Sequence, residues 1–334
     1  MRASVFVCLA VASAVLATPA LAAPPPIVIK FSHVVAPETP KGQAAVRFKE
    51  LAEEATKGRV RVEVYPNSTL YKDKEELEAL QLGNVQMLAP SLAKFAPLGV
   101  TEFELFDLPF IFDTEQELHR ITEGPVGRKL LRLLEPKGIM GLAYWDNGFK
   151  VMSANRALRT PADFEGLKIR IQASRVLDSQ MRALGARPQV MAFSEVYKAL
   201  QAGVVDGTEN PPSNLYTQKM HEVQKYVTVS NHGYLGYAVI VNRRFWTALP
   251  PDIRDQLESA MNGATRFANA IAQMDNDRAL EAVKASGKCQ VIELTTAERT
   301  AWKKAMHRAH EEHASRIGTD LVNEVYRETG YSVK

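Results

Sequence analysis

The pattern of hydrophobic and polar positions predicts strands that alternate with helices along most of the chain. Residues 59–65 alternate strictly between apolar and polar side chains, as in a half-buried strand, and residues 27–32 form a first strand. Residues 43–57 are typical of a helix, with Gly58 at its carboxyl end. Strands alternating with helices indicate an α/β fold. The other predicted elements are strands at 85–89, 138–145 and 166–172, helices at 73–83 and 194–203, and one or two strands within 226–242.

The spacing of apolar residues changes after Pro251 to that of one long helix. Apolar positions recur at intervals of four and three with no proline between them, which predicts a helix from Asp252 to Ala285, about 50 Å long at about 1.5 Å per residue. A helix of that length would extend beyond one lobe. Its alanine- and phenylalanine-rich seam favours packing on its own chain over a coiled-coil dimer. The seam positions are Ile253, Leu257, Ala260, Ala264, Phe267, Ile271 and Met274.

The amino-terminal segment has the layout of an export signal. A short basic start ending at Arg2 precedes an apolar run over residues 3–16, a break at Pro19 and small residues up to Ala22. A membrane anchor is disfavoured, because a spanning helix needs about 20 apolar residues and Pro19 interrupts this one. We therefore predict cleavage after Ala22 and a soluble periplasmic protein.

Composition narrows the class of protein further. About 310 residues remain after the signal, enough for two lobes with substantial cores. Cys289 is then the only cysteine, so stability must come from the hydrophobic core and not from a disulfide. The formal net charge of +3 falls by one with the loss of Arg2, which is too weak to indicate nucleic acid or an anionic membrane as partner.

The sequence lacks the motifs of common cofactors and catalytic centres. It contains no Walker A loop, no G-x-G-x-x-G, no G-x-S-x-G and no H-E-x-x-H. His307, His310 and His313 are spaced three apart, which drifts around a helix, and charged residues flank them. That spacing favours a solvated helix over a metal site. We expect no cofactor, no metal and no catalysed reaction.

Residues 166–172 offer a candidate for ligand binding. Their polar face carries Lys168, Arg170 and Gln172, and the other face is apolar. An arginine near the end of a strand can present its planar guanidinium to a carboxylate in two parallel hydrogen bonds. The pattern alone favours an ordinary solvent-exposed strand.

A resemblance decides between these interpretations. Six short segments occur in the order found in the solute-binding proteins of tripartite ATP-independent periplasmic (TRAP) transporters, and the chain resembles these receptors over essentially its whole length. Residues 70–73, 91–94 and 145–150 are most similar to the C4-dicarboxylate-binding branch. The six segments are 106–110 (FDLPF), 166–170 (GLKIR), 191–197 (MAFSEVY), 205–211 (VDGTENP), 222–226 (EVQKY) and 230–232 (SNH).

The resemblance implies roles for individual residues. Arg170 would clamp the ligand carboxylate, Asn210 would hydrogen-bond the same group, and Phe193 would pack against the carbon chain. Lys150 would supply positive charge where many relatives carry a second arginine, without the bidentate fork. Ser91 stands where sialic-acid receptors have an acidic residue, which argues against a bulky sugar acid.

Further candidates come from lysines and from strand ends. Lys94 and Lys72 are candidates for the second carboxylate of the ligand, and the alternative for each is a solvated surface lysine. His33, His232 and Tyr234 lie at strand ends or in the crossing region and are further candidates for ligand contacts.

The predicted fold is a two-lobed α/β periplasmic binding protein, crossed by the chain at least twice and braced by the long helix. Lobe I would contain residues 23–147 and 236–275, and lobe II residues 148–235 and 276–334. The predicted function is that of a monomeric periplasmic receptor that binds succinate, fumarate or malate and delivers it to TRAP membrane subunits. The alternatives are a receptor for a monocarboxylate, keto acid or aromatic acid, a periplasmic enzyme, and the ligand-sensing subunit of a signalling system.

Overall fold

The computed structural model describes residues 24–333, which fold as two β-sheets with helices packed on them. The predicted signal peptide and its cleavage site lie outside these residues. The α/β fold class is confirmed. The five-stranded sheet contains, in spatial order, β2 (Val60–Tyr65), β1 (Ile27–Ser32), β3 (Met87–Leu88), β10 (Tyr234–Asn242) and β4 (Ile139–Phe149). The six-stranded sheet contains β11 (Gln290–Glu293), β9 (Tyr226–Val229), β5 (Val151–Ala154), β8 (Gly207–Asn210), β6 (Lys168–Ile171) and β7 (Arg187–Val190).

Both sheets are mixed. In the first, β1 is parallel to β2 and β3, whereas β10 is antiparallel to β3 and β4. In the second, β6 is parallel to β7 and β8, β9 is parallel to β11, and β5 is antiparallel to β8 and β9. The helices are α1 (Pro40–Ala55), α2 (Glu76–Gln81), α3 (Glu115–Thr122), α4 (Pro125–Arg132), α5 (Arg175–Ala183), α6 (Val196–Gln201), α7 (Pro212–Thr217), α8 (Arg243–Ala248), α9 (Pro251–Ala285), α10 (Thr296–Met306), α11 (Arg308–Ile317) and α12 (Thr319–Thr329).

The first helix begins three residues earlier than the apolar pattern predicts. Thr39 caps α1 by accepting a hydrogen bond from the Gly42 N–H, and Pro40 occupies the first helical position. Proline is favoured there because its fixed φ suits the helix and its missing N–H would have had no partner. As a result Lys41 lies inside the first turn of the helix.

The chain passes between the two sheets three times; α9 makes the third passage, from β10 to β11, and the first two lie side by side. Lys150 separates β4 from β5, and residues 230–233 separate β9 from β10. The two crossings contact each other, since the Lys150 N–H donates to the Gly233 carbonyl at 2.9 Å. We call the lobe with the five-stranded sheet the first lobe and the other the second lobe.

The long helix α9 braces both lobes, as predicted. It packs on α1 and β4 of the first lobe and on α7 and β11 of the second. Asn276 of α9 ties the lobes together, because its side chain donates to the Asn147 carbonyl at 2.5 Å and accepts from the Ser213 N–H at 2.9 Å.

The buried stripe of α9 departs from the predicted seam in its second half. Ala264, Ala268 and Ala272 are buried, whereas Met274 is 43% exposed. A repeat of 3.5 residues drifts around a straight helix of 3.6 residues per turn, so the buried face follows steps of four instead. Alanine along this stripe allows the backbone of α9 to approach both lobes closely.

The carboxyl-terminal helices extend the core of the first lobe. Ala309 and Ile317 of α11 and Val325 of α12 belong to the same buried cluster as Phe103 and Phe106. The predicted division instead gave all residues from 276 onward to the second lobe. That division stays a prediction; the packing favours the first lobe for α12, whereas α11 also packs on α5 of the second lobe and joins the two. Among residues 24–333, no helix combines the length and apolar character needed to cross a membrane.

Candidate ligand-binding site

A cavity lies between the two lobes and is lined by five of the predicted site residues. It measures about 310 Å³, counted with the space that opens to solvent. The first lobe contributes Ser91 and Lys94, and the second contributes Arg170, Phe193 and Asn210. The structure therefore brings together residues that lie up to 119 positions apart in the sequence.

Arg170 is buried in the wall formed by β6. It is only 2% exposed, which excludes the solvent-exposed strand that the pattern alone favoured. Its Nε and Nη2 groups both donate to the Met191 carbonyl, at 3.0 and 2.8 Å, and this fixes the plane of the guanidinium. Burial lowers the pKa of Arg170, with Asp73 and Glu209 acting in the opposite direction. An arginine nevertheless stays protonated in proteins, so it presents a positive charge at this wall.

The neighbours of Arg170 combine an aromatic face with amide groups. Its guanidinium carbon lies 5.8 Å from the centre of the Phe193 ring. Asn210, at the end of β8, is 3% exposed, and its amide makes only long contacts, 3.5 Å to Thr208 Oγ1 and 3.8 Å to Met220 Sδ. Ser91 Oγ hydrogen-bonds across the cleft to Gln172 Oε1.

Lys94 is held by two carboxylates of its own lobe. Its Nζ contacts Asp73 Oδ1 and lies 2.6 Å from Glu76 Oε1. Burial raises the pKa of Glu76, an effect that Lys94 partly offsets. Burial alone would raise the pKa of Asp73 too, but Lys94 and the Phe193 N–H outweigh it and lower the pKa. The charge of Lys94 is therefore already matched within the first lobe.

Asp73 does not cap α2, although its spacing to Glu76 resembles a capping box. The residue before α2 is Glu75, and no side chain caps the helix. Asp73 instead accepts a hydrogen bond from the Phe193 N–H at 2.5 Å, across the cleft.

Lys72 is exposed and forms a 3.5 Å ion pair with Glu195, so the structure does not place it in the cavity. We call Lys72, Asp73, Phe193 and Glu195 the inter-lobe clasp.

Ser194 likewise does not cap a helix. It lies within a 3₁₀ turn, Phe193–Glu195, that precedes α6. The turn positions the Phe193 N–H toward Asp73, and tertiary contact across the cleft replaces the expected local cap.

Lys150 and His232 lie where the chain crosses between lobes and do not line the cavity. Both bind Glu209, Lys150 through Nζ to Oε1 at 2.8 Å and His232 through Nε2 to Oε2 at 3.0 Å. Ser230 Oγ completes the group with a 2.7 Å contact to His232 Nδ1. We call Lys150, Glu209, Ser230 and His232 the crossover network. Sequence reasoning missed it because Glu209 is 59 residues from Lys150.

Two other predicted contacts are also absent from the cavity lining. Tyr234 donates from its hydroxyl to Asp146 Oδ1 at 2.6 Å and packs in the first-lobe core. His33 is 1% exposed, and neither ring nitrogen has a hydrogen-bond partner among residues 24–333. Burial, and then the nearby Lys41, lowers the pKa of His33 to about 3. His33 is therefore neutral at physiological pH.

The three histidines near the carboxyl terminus bind separate groups. His307 and His310 contact the hydroxyls of Tyr331 and Tyr326, at 3.1 and 2.7 Å, and His313 contacts Ser179 Oγ at 2.8 Å. Within the part of the chain that the structure describes, no three His, Cys, Asp or Glu side chains are grouped as metal ligands.

The cavity also contains residues that sequence reasoning missed. Lys41, Asp73, Asn214 and Tyr237 line it, as does Gln172, which the sequence placed on the same polar face as Arg170 without a role of its own. A usable signal existed for Lys41, because Thr39 and Pro40 mark a helix start before residue 43, and a lysine in the first turn of a helix opposes the helix dipole. Tyr237 could have been noted as a polar group within the long apolar stretch of β10. The others carry no signal beyond ordinary polar residues.

The arrangement of these residues can be compared with known proteins. Residues 31–317 match the family model described as bacterial extracellular solute-binding protein, family 7. The chain belongs to this family. It is a family of substrate-binding proteins and not of enzymes, so the prediction of a TRAP-type receptor without a catalytic step is confirmed.

Individual members of the family are similar over nearly the whole chain. The C4-dicarboxylate-binding periplasmic protein DctP of Rhodobacter capsulatus is 64% identical over 310 residues, covering 93% of this chain and 92% of the relative. A TRAP periplasmic solute binding protein from Shewanella oneidensis with bound succinate has a TM-score of 0.89 and 41% identity, covering 91% and 99% of the two chains. One from Pseudomonas aeruginosa PAO1 with bound L-malate has a TM-score of 0.84 and 47% identity, covering 86% and 100%. The two-lobed fold is thereby confirmed.

Proposed function

We propose that this chain is a periplasmic receptor that binds a C4-dicarboxylate such as succinate, fumarate or malate and delivers it to the membrane subunits of a TRAP transporter. The observation that carries the proposal is an inter-lobe cavity with cationic side chains on both walls, Arg170 on one and Lys41 and Lys94 on the other. The similarity to DctP of Rhodobacter capsulatus and to the succinate- and malate-bound relatives supports it.

The chemistry of the cavity suits a small dianion. A four-carbon chain has little apolar area, so its affinity must come from charge-assisted hydrogen bonds. These bonds are stronger in a closed site of low dielectric than in water. Arg170 uses two of its five N–H donors on Met191, which leaves three for a carboxylate, and Asn210 lies in the same wall. Phe193 and Leu235 supply apolar surface for the carbon chain.

A screen of organic acids by thermal unfolding tests this proposal. Succinate, fumarate or malate at a hundred times its dissociation constant should add about 2.7 kcal/mol to the free energy of unfolding, because it binds only the folded chain. Sialic acid, neutral sugars and simple amino acids should leave the melting temperature unchanged. Stabilisation by an aromatic or monocarboxylic acid alone would assign the chain to another class of organic-acid receptor.

The export signal gives a second expectation. If the signal is cleaved after Ala22, protein purified from the periplasm should begin at Ala23, because the peptidase cuts after the small residues that follow the apolar run. Amino-terminal sequencing or intact mass measures this directly. Mature periplasmic protein that still begins at Met1 would contradict the proposed processing.

A further inference from the structure

Lys41 is an unusual residue for the place it occupies. It lies in the first turn of α1, is 1% exposed, and lines the same cavity as Arg170. A cation at the amino end of a helix opposes the helix dipole, and burying a charge costs free energy unless it is paired. Neither the capping of α1 nor the packing of the first lobe requires a charge at this position.

The polar contacts of Lys41 leave it unpaired with any acid. Its Nζ donates to the Ala89 carbonyl at 3.0 Å and lies 3.7 Å from the centre of the Tyr237 ring. None of the ion pairs within residues 24–333 includes Lys41, whereas Lys94 contacts both Asp73 and Glu76. An ammonium group has three N–H donors, so two remain for another acceptor.

The other lysines considered for the second carboxylate are committed elsewhere. Lys72 is exposed and pairs with Glu195, and Lys150 pairs with Glu209 outside the cavity. Lys94 lines the cavity, but its charge is matched by two carboxylates. Of the lysines that line the cavity within residues 24–333, Lys41 alone lacks an acidic partner.

We propose that Lys41 determines specificity by binding the second carboxylate of the ligand, while Arg170 binds the first. This inference rests on the proposed function and adds to it the residue that selects for a second carboxylate. Arg170 belongs to the second lobe and Lys41 to the first, so an acid with two carboxylates joins the two walls. A monocarboxylate leaves Lys41 buried without an anion, and this selects against it.

The protonation of Lys41 provides an independent sign of the contact. Burial lowers the pKa of Lys41 to about 7, with Glu76 and Asp73 raising it and Lys94 lowering it further. The two other titratable neighbours stay neutral at pH 8, His33 because its pKa is about 3 and Tyr237 because burial raises its pKa. A carboxylate placed on Lys41 raises its pKa, so binding at pH 8 should take up as much as about one proton.

The central test is calorimetric titration of the Lys41→Met variant with succinate and with butyrate, which has the same carbon chain but one carboxylate. Succinate affinity should fall at least about tenfold, and butyrate affinity should stay the same or rise. Methionine has a similar shape and no charge, and such replacements of buried charges are often well tolerated. Lys129→Met, the same substitution at an exposed lysine of α4 that does not line the cavity, is the matched control and should bind succinate like the wild type.

Titration of the wild-type chain in buffers of different ionisation enthalpy needs no variant. Succinate should take up protons at pH 8 and butyrate should not, and Lys41→Met should abolish the uptake. Two results for affinity would overturn the role of Lys41: unchanged succinate affinity in Lys41→Met, or an equal loss of affinity for both acids. Two results for proton uptake would do the same: equal uptake with both acids in the wild type, or uptake that persists in the variant. Wild-type protein that binds no C4-dicarboxylate would instead overturn the proposed function, and the inference with it.

Discussion

Arg170→Ala is expected to weaken succinate binding by at least about thirtyfold, because truncating one partner of a buried charge pair costs about 2–5 kcal/mol and each 1.4 kcal/mol is about tenfold. Without the guanidinium, the first carboxylate is left in a buried wall beside Asn210 and Phe193. Calorimetric titration with the best C4-dicarboxylate measures the loss. Arg170→Lys should recover only part of it, because a point charge cannot form two parallel bonds or keep the anchor to Met191.

The control for this substitution lies on the same strand. The side chain of Lys168 is exposed at the start of β6, so Lys168→Ala should bind like the wild type. The melting temperature without ligand should change little in Arg170→Ala, because the apolar side chains of Ile169 and Ile171 that hold β6 in the core remain. Near-wild-type affinity in Arg170→Ala would remove the proposed carboxylate clamp.

Glu209→Ala is expected to lower the free energy of unfolding by about 3–5 kcal/mol, because it leaves Lys150 buried without its counter-ion. The side chains of Glu209 and Lys150 are 1% and 2% exposed, so water cannot replace the lost contact. Urea unfolding of the ligand-free protein measures the change. Glu281→Ala removes an exposed partner of Lys284 and serves as the control, for which we expect little effect. A change in Glu209→Ala as small as in that control would show that the crossover network does not stabilise the fold.

The same network gives a defined dependence on pH. Burial alone would raise the pKa of Glu209, but Lys150 and His232 outweigh it and lower the pKa to about 2. In the unfolded chain a glutamate has a pKa of about 4.3. The stabilisation is therefore complete above about pH 4.3 and is lost as the pH falls towards about 2. Between about pH 4.3 and about pH 2, the free energy of unfolding of Glu209→Gln should therefore fall less than that of the wild type.

The elements that the sequence predicted well are those long enough to show a period. β1, β2 and α9 agree with prediction to within a residue or so, since each repeats its pattern several times. β6 is equally short but was predicted from the alternation within residues 166–172, whereas the four-residue strands β5, β7, β8 and β11 show no such alternation and were missed. They pair with strands far away in the sequence, and that pairing is what holds them extended.

The candidate site was predictable where a family motif covered it. Arg170, Asn210 and Phe193 were taken from such motifs and do line one cavity. Lys150 was not distinguishable from a ligand contact, because a sequence does not reveal which carboxylate a lysine meets in the folded chain. Asp73 illustrates the same limit for a local signal, since its contacts with Lys94 and Phe193 replace the cap that its spacing suggested.

The order of strands within the sheets determines when the protein can fold. β4 pairs only with β10 in its sheet, so a strand complete by Phe149 waits for residues 234–242 before it has a partner. In the second lobe only the edge strand β11 comes late, because β10, α8 and the 35 residues of α9 separate it from its partner β9. Contacts between such distant segments form slowly. The five-stranded sheet therefore cannot be completed until about two thirds of the chain has been made, and the cavity between the lobes cannot form before then.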